Sequence, residues 1–352
     1  MKDSSSSIKA IIRDAKKGKM FILVDNKDRE NEGDLVIPAS KVNAKKINFM
    51  AKHGRGLICL ALTQQKVKKL KLPLMSSVNK SRTQTAFTIS IESKKGVTTG
   101  ISAQDRAKTI KVAIQSNSSK KDIVSPGHVF PLIAKNGGVL ERAGHTEASI
   151  DISKLAKLNH SAVICEVMNE DGTMARYKDL IPFAKKHKLK IAKIEDLISY
   201  RLKNERLIKL ISNKKINIKK FGTFDLKTFK NKLDGSEHYV ITKGKFSPKK
   251  TPRVRVISTN ILNIFFNFNK DIFKNSIKHL NKFSNFALIL IKSTTPSSTT
   301  SESNKILRYY GVGAQIIKEL KIKNMILVSR SKKRIIALKG YGIKITKQEI
   351  IK

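Results

Sequence analysis

The stretch Phe21-Ile22-Leu23-Val24 is an apolar run, and it leads into the polar segment Arg29-Glu30-Asn31-Glu32-Gly33-Asp34. Four consecutive apolar residues followed by polar ones predict a buried strand. Strand ends that lead into polar loops often present binding groups. In an extended chain the three carboxylates of this segment would lie on one side, about 6 to 7 Å apart, close enough to share a divalent ion. The alternative interpretation is a solvated acidic turn.

Strands and helices alternate outward from this run. Ser40 and Ser102 are predicted helix N-caps, and Asp105 is expected to complete a capping box with Ser102. The pattern predicts an α+β fold: an α/β-type domain with a mixed sheet and surrounding helices, followed by a smaller second α+β domain. The predicted helices cover residues 8–17, 40–52 and 102–114, and the predicted strands cover residues 21–24, 56–62, 85–91, 127–133, 162–167, 239–242, 254–257 and 286–291.

A glycine-interrupted segment forms a second polar cluster, Gly137-Gly138-Val139-Leu140-Glu141-Arg142-Ala143-Gly144-His145-Thr146-Glu147-Ala148. Small residues allow backbone amides to approach a ligand, and Arg142 and Thr146 offer donors suited to a phosphate. His145 is a candidate metal ligand, although a single histidine is more often structural. Together with the acidic segment, the cluster predicts an Mg²⁺ or Mn²⁺ site that holds an oxygen-rich phosphorylated substrate.

The net charge of the 352-residue chain is +45, from 72 basic and 27 acidic residues. Such an excess is typical of proteins that bind nucleic acids. Here the basic residues are mostly lysine, and isoleucine and asparagine are also abundant, a combination that A/T-rich codons produce. The sequence contains no zinc-finger spacing and no RNA-binding aromatic motif. We therefore predict no specific nucleic-acid partner.

Two cysteines, Cys59 and Cys165, lie in apolar runs and do not form a disulfide framework, which favours a reducing compartment. The first residues lack the apolar core of a secretory signal. The apolar run at residues 286–291 is too short to cross a bilayer and is better interpreted as a buried strand. We predict a cytoplasmic protein without membrane contact.

Five sequence blocks, taken in order, resemble 3,4-dihydroxy-2-butanone 4-phosphate synthase, an enzyme of riboflavin biosynthesis. The resemblance covers residues 21 to 200, and five blocks in one order are far more specific than any single block. The blocks are Val24-Asp25 through Asp34-Leu35-Val36, Gly96 through Arg106, Pro126-Gly127-His128-Val129-Phe130-Pro131-Leu132, Gly144-His145-Thr146-Glu147-Ala148, and Cys165-Glu166-Val167-Met168-Asn169 with Asp171-Gly172-Thr173-Met174-Ala175.

The resemblance implies a lyase that converts D-ribulose 5-phosphate to L-3,4-dihydroxy-2-butanone 4-phosphate and formate with Mg²⁺ or Mn²⁺. By family position Glu30 and His145 would bind the metal, and His128 and Glu166 would transfer protons. Family members dimerise, so a homodimer is expected. The implied substrate contacts are Arg29, Glu30, Asp34, Arg142, Ala143, Gly144, His145, Thr146 and Glu166.

Some of these positions have a second interpretation. His128 could be a structural histidine, and Glu166 could be a charge that a partner holds within an apolar strand. Glu32 could assist the metal through water. Cys59 is better interpreted as a small core residue, and Asp105 with Arg106 as a helix-start pair that shapes the pocket floor.

Residues 205–352 resemble a GTP cyclohydrolase II domain, whereas residues 1–204 form the predicted synthase domain. The carboxy-terminal resemblance lies in Leu307-Arg308-Tyr309-Tyr310-Gly311-Val312-Gly313-Ala314-Gln315-Ile316 and Leu338-Lys339-Gly340-Tyr341-Gly342-Ile343. That cyclohydrolase requires zinc held by three cysteines. Asn260 lies near the expected first ligand, no cysteine follows Cys165, and a Ser/Thr-rich loop is predicted at residues 293–303. We predict a degenerate domain without zinc or cyclohydrolase activity; the alternative is a bifunctional enzyme.

Overall fold

A computed structural model describes residues 5–27, 29–80, 83, 85–247, 251–259, 270–292, 302–331 and 342–351. The chain divides into two compact units, Met1–Ile198 and a second unit that begins at Ser199. The assignment of separate functions to residues 1–204 and 205–352 stays a prediction. Asn260, residues 293–301 of the predicted Ser/Thr loop and residues 338–341 of the carboxy-terminal motif lie outside the described residues.

The first unit is a mixed sheet with helices packed on it. Within its described residues the strand order is β4-β5-β3-β6-β2-β1-β7, with parallel and antiparallel neighbours, which confirms the predicted mixed sheet. The strands are β1 (Phe21–Val24), β2 (Gly33–Pro38), β3 (Cys59–Thr63), β4 (Ile91–Ser93), β5 (Ile123–Ala134), β6 (Ser161–Glu166) and β7 (Lys190–Lys193). The helices are α1 (Ile8–Lys16), α2 (Ala44–Phe49), α3 (Gln64–Leu70), α4 (Ala103–Ile114), α5 (His145–Leu155), α6 (Tyr177–His187) and α7 (Ile194–Asn204), which continues beyond Ile198.

Strand β1 is buried along its whole length, as the apolar run predicts. It pairs antiparallel with β2 and parallel with β7, so both of its edges are hydrogen-bonded. The register places Leu23 opposite Asp34 and Val24 opposite Gly33. The polar residues 25–32 are therefore the connection of a β-hairpin at the edge of the buried sheet. Gly33 has no space for a side chain because Leu180 packs against its Cα.

The helix starts agree with the sequence in part. Ser102 caps α4 by accepting a hydrogen bond from the Asp105 N–H, as predicted. The capping box predicted for Asp105 is wrong, because its carboxylate accepts from the Thr98 hydroxyl and from the backbone N–H groups of Thr98 and Gly100, and so closes the preceding loop. The predicted cap Ser40 is wrong, because residues 39–41 form a separate 3-10 turn and Asn43 caps α2.

The predicted strand at residues 85–91 is wrong over most of its length. Phe87 pairs with Leu132 as an isolated bridge, and the regular strand β4 begins only at Ile91. The Thr88 N–H donates to the Pro131 carbonyl, but proline has no N–H to return the next hydrogen bond of an antiparallel ladder. The ladder therefore stops after one bridge.

The second unit is also α+β, as predicted, with a mixed sheet of its own. Its elements are β8 (Ile208–Ile218), β9 (Gly222–Asn231), β10 (Glu237–Lys243), β11 (Arg253–Thr259), α8 (Lys270–Leu280), β12 (Phe286–Lys292), α9 (Glu302–Glu319), β13 (Asn324–Ser329) and β14 (Lys344–Ile350). Within the described residues the strand order is β14-β13-β11-β12-β10-β9-β8, and the predicted strands at 239–242, 254–257 and 286–291 are confirmed within β10, β11 and β12.

Across the described part of the chain, every helix falls short of the length and apolar character needed to cross a membrane.

Candidate active site

The Asp25 carboxylate organises the hairpin connection between β1 and β2. Its Oδ2 accepts from Arg29 Nη1 at 2.7 Å and from the Glu30 N–H at 3.2 Å, and its Oδ1 accepts from the Glu32 N–H at 2.9 Å. The Asp25 N–H in turn donates to the Glu32 carbonyl at 3.2 Å. Hydrogen bonds to a buried charge are stronger than neutral ones. One side chain therefore fixes both ends of the acidic segment.

Asp25, Glu30 and His145 form the candidate metal site. Their potential ligand atoms lie within 4.8 Å of one another, and no other group of three His, Cys, Asp or Glu side chains meets this condition in the described part of the chain. His145 Nδ1 is 3.8 Å from Glu30 Oε2 and 3.7 Å from Asp34 Oδ1. Buried His145 Nε2 has no hydrogen-bond partner. Burial, the largest influence, lowers the pKa of His145 and favours the neutral imidazole that a metal requires.

The donor set fits a hard divalent ion. Two carboxylates supply the oxygen ligands that Mg²⁺ prefers, and Mn²⁺ also accepts an imidazole nitrogen. His145 Nε2 makes no hydrogen bond to another protein group, so this nitrogen is able to bind a metal. These residues could therefore hold Mg²⁺ or Mn²⁺.

The predicted alignment of three carboxylates on one side of an extended segment is wrong. Asn31 has a φ of 57°, a left-handed conformation that interrupts the alternation of an extended chain. Glu32 Oε1 instead lies 3.6 Å from Arg176 Nη1, and the same guanidinium donates to the Glu30 and Asn31 carbonyls. Asp25, which the sequence analysis did not propose as a site residue, takes the third position beside Glu30.

Asp34 and Glu166 form a second pair of carboxylates. They are directly opposite each other in the antiparallel β2–β6 register, so their side chains share one face of the sheet. Burial and the charge of Glu166 raise the pKa of Asp34 well above its usual range. Burial, the largest influence, also raises the pKa of Glu166. Like charges this close favour a state in which one carboxyl keeps a proton, which suits a group that exchanges protons with a substrate.

The chain around Gly56 holds the Glu166 carboxylate. The Leu57 N–H donates to Glu166 Oε2 at 2.8 Å. A Cβ atom at Gly56 would lie 2.6 Å from the same Oε2 and 2.6 Å from the Glu166 carbonyl oxygen, so only glycine fits. The Glu166 carboxylate is therefore oriented by a backbone segment that passes it at close range.

The predicted phosphate-binding segment lies at the amino-terminal end of α5. Gly144 is the N-cap of this helix, and His145 and Thr146 are its first two residues, where backbone N–H groups favour an anion. Arg142 Nη1 lies 2.7 Å from Glu147 Oε2, and Arg142 Nη2 donates to the Thr83 carbonyl and the Thr85 hydroxyl. In this arrangement Arg142 is held by protein groups.

The glycine at position 144 has a steric role. A Cβ atom there would collide with Arg142 Nη1 and lie 3.0 Å from Glu147 Oε2. Gly144 therefore makes room for the Arg142–Glu147 ion pair. Close approach of a ligand, the role predicted for the small residues of this segment, stays a prediction, and Ala143 is buried with 5% exposure.

His128 is separate from the other candidate residues within the chain. It lies on β5, two strand positions from β6, which carries Glu166, and this separation is about 10 Å across a sheet. His128 Nδ1 lies 2.9 Å from Glu92 Oε1 on β4. The His128 side chain is 43% exposed and that of Glu92 is 16% exposed. The predicted proton-transfer residues, His128 and Glu166, thus do not meet in one chain.

Cys59 is buried at 2% exposure, in agreement with a small core residue. It lies opposite Phe130 and Ile164 in the sheet. Burial raises the pKa values of both Cys59 and Cys165 above their usual range, and Glu166 adds to the effect. These thiols are poor nucleophiles in the folded protein.

Sequence reasoning missed Asp25 and Glu92 as site residues. Asp25 follows β1 directly, and a strand-end carboxylate is a signal that could have identified it. Glu92 directly follows the predicted strand at residues 85–91, but its pairing with His128 depends on the fold of β5 and has no local sequence signal.

Two family profiles match the chain. The profile described as 3,4-dihydroxy-2-butanone 4-phosphate synthase matches residues 9–200, and the profile described as GTP cyclohydrolase II matches residues 272–349. The chain is 42% identical to the 3,4-dihydroxy-2-butanone 4-phosphate synthase of Photobacterium phosphoreum, over 97% of this chain and 98% of that protein. The similarity therefore includes both units.

Two solved structures are also similar. One is RibBX from A. baumannii, a two-domain 3,4-dihydroxy-2-butanone 4-phosphate synthase, with 38% identity and a TM-score of 0.85 over 98% of this chain and 100% of that chain. The other is a 3,4-dihydroxy-2-butanone 4-phosphate synthase in complex with two magnesium ions, with 36% identity and a TM-score of 0.54 over 56% of this chain and 98% of that chain.

Proposed function

The chain belongs to the 3,4-dihydroxy-2-butanone 4-phosphate synthase family of riboflavin biosynthesis, and we propose that it converts D-ribulose 5-phosphate to L-3,4-dihydroxy-2-butanone 4-phosphate and formate. The observation that carries the proposal is the Asp25–Glu30–His145 cluster, which lies beside the Asp34–Glu166 carboxylate pair. The candidate metal ligands and the candidate proton-transfer groups thus lie together at one end of the β1–β2 hairpin.

Glu30 and His145 would hold Mg²⁺ or Mn²⁺, with Asp25 as a third ligand or as the group that fixes Glu30. When bound, the ion would polarise the substrate carbonyl and stabilise the enediolate. Support comes from the free Nε2 of His145 and from the magnesium complex of the 36% identical synthase. Arg29 keeps Glu30 in place through a 2.5 Å contact between Nη1 and Oε2.

Glu166 and Asp34 would move protons during enolisation, loss of water, skeletal rearrangement and release of the one-carbon unit. Glu166 is the stronger candidate because a backbone N–H orients its Oε2 while burial raises its pKa. Residues Arg142 to Thr146 would bind the sugar phosphate at the start of α5. To bind the phosphate, the Arg142 guanidinium would have to contact it either together with Glu147 or in place of Glu147.

We further propose a homodimer. Segments outside strand β4 expose several large apolar side chains, which in one chain lack a hydrophobic cover. The distance of His128 from Glu166 also favours a site completed by a second copy. The exposed residues are Leu57, Leu74, Met75, Val78, Ile101 and Val124. Light scattering should give twice the chain mass, and a fully active monomer would contradict the proposal.

The alternative is a bifunctional enzyme, which the cyclohydrolase profile match at residues 272–349 favours. The chain has two cysteines, Cys59 and Cys165, and both lie in the first unit, so the three zinc thiolates of that chemistry have no counterpart. We propose that the second unit lacks cyclohydrolase activity and supports solubility or assembly. Full solubility, oligomeric state and activity of residues 1–204 alone would remove that structural role.

One assay separates these functions. The purified protein is incubated with D-ribulose 5-phosphate or with GTP, and formate is measured with Mg²⁺, with Mn²⁺ and with EDTA. A synthase releases formate only from the sugar phosphate and only with the metal. The Glu30→Ala and His145→Ala variants should lose this release. Glu166→Gln should also lose it but should still bind the substrate, and unaltered formate release in this variant would rule out the acid/base role of Glu166. Formate release that EDTA leaves unchanged would refute the metal assignment.

A further inference from the structure

Strand β5 carries His128 on a β-bulge next to its neighbouring strand β4. The β4–β5 register shifts between Ile91, which pairs with Val129, and Glu92, which pairs with Val124. Residues 125–128 of β5 therefore have no paired residues in β4 and form the bulge. Bulges of this kind often re-aim a side chain next to an active site.

Two glycines bring the Glu92 side chain and the bulge together. A Cβ atom at Gly127 would collide with the Ile91 carbonyl and the Glu92 backbone, so glycine allows β5 to approach β4 at this point. A Cβ atom at Gly100, which has a φ of 87°, would collide with the Glu92 carboxylate. The Ser90 hydroxyl adds a third constraint by accepting from the Gly127 N–H at 3.1 Å.

The loop that carries Gly100 is itself fixed. Asp105 accepts from the Thr98 hydroxyl at 2.7 Å, from the Thr98 N–H at 3.2 Å and from the Gly100 N–H at 3.1 Å. Glu92 is therefore enclosed between a rigid loop and a bulged strand. Its Oε1 lies 2.9 Å from His128 Nδ1.

We propose that Glu92 is a positioning residue for His128, holding the imidazole in the tautomer with a proton on Nδ1 and a free lone pair on Nε2. An ionised carboxylate can only accept a hydrogen bond, so Nδ1 must donate. Nε2 then keeps its lone pair, and because the His128 side chain is 43% exposed this nitrogen could take a proton from a substrate. This inference rests on the proposed synthase function, in which His128 transfers protons.

The test replaces Glu92 with the isosteric glutamine, which keeps the shape but can also donate a hydrogen bond to Nδ1. We expect kcat for formate release to fall about 10- to 100-fold, the usual effect of losing such an orienting partner. KM should stay near the wild-type value, because Glu92 does not bind the substrate. Imidazole ¹⁵N NMR on the full chain should show His128 losing its Nδ1–H tautomer, with the signal assigned by its loss in His128→Asn.

Two further variants make the result decisive. Gly100→Ala should displace the Glu92 carboxylate without removing it and should lower kcat in the same way. Glu170→Gln removes a carboxylate that is 93% exposed and should leave both kcat and the ¹⁵N spectrum unchanged. Wild-type kcat in a folded Glu92→Gln protein, or an unchanged His128 tautomer, would overturn the proposal. If the wild-type protein releases no formate, the synthase function fails, while the NMR result still decides whether Glu92 sets the tautomer.

Discussion

Replacing Asp25 with asparagine tests whether one carboxylate organises the active-site hairpin. The Asp25 side chain is fully buried and receives three donors: Arg29 Nη1 and the Glu30 N–H on Oδ2, and the Glu32 N–H on Oδ1. An asparagine can offer its single oxygen to only one of these two sides. In the better orientation, the amide NH₂ faces the Glu32 N–H, and the bond to Arg29 loses its negative partner.

The cost follows from these contacts. A buried donor left without a partner costs about 1–3 kcal/mol, and a hydrogen bond to a charged group contributes about 1.5–3 kcal/mol, part of which is lost. Since Arg29 keeps its contact with Glu30, we expect a total destabilisation of about 3 kcal/mol. For a unit of this size, Tm should fall by about 6–12 °C.

Differential scanning calorimetry of the full chain measures this shift, and Mn²⁺ titration by electron paramagnetic resonance measures binding at the same site. Asp25→Asn should also weaken Mn²⁺ binding, because Glu30 loses its anchor. The matched control is Asp234→Asn, which changes an exposed turn carboxylate that accepts from Ser236 in the second unit. If the Tm of Asp25→Asn stays within about 1 °C of the wild-type Tm, the role given to Asp25 is refuted.

Three other changes give distinct results. Gly56→Ala should displace Glu166 and lower kcat for formate release more than it raises KM, since the Cβ atom would lie 2.6 Å from the carboxylate; equal kcat would contradict this. Hydrogen bonding from the Thr98 hydroxyl lowers the pKa of Asp105 in the folded protein below its usual value of 3.8. The ionised Asp105 therefore stabilises the fold fully above pH 3.8, and this contribution is lost as the pH falls through the lower folded-state pKa. Acid unfolding of Asp105→Asn should lack this pH-dependent loss of stability. The two buried cysteines should resist alkylation at pH 8 in the native protein and react after urea unfolding, because burial raises their pKa values.

Local sequence patterns predicted the elements whose ends are decided locally. The Phe21–Val24 run is a buried strand because four apolar residues exclude water from both faces of the sheet. Ser102 caps α4 because its side chain accepts from an N–H only three residues away. The strand at 85–91 failed because the limit on its pairing is Pro131, more than forty residues later.

The sequence by itself determined the α+β class, the two units and the family, and it identified Glu30, His145 and Glu166 as candidates, because these depend on residue type and order along the chain. The tertiary structure decided which of these side chains meet. Asn31 turns the acidic segment so that Asp25, in place of Glu32, joins Glu30 and His145. The β4–β5 bulge places His128 beside Glu92, about 14 Å across the sheet from β2. Such contacts depend on strand register and backbone twist, which no local sequence window contains.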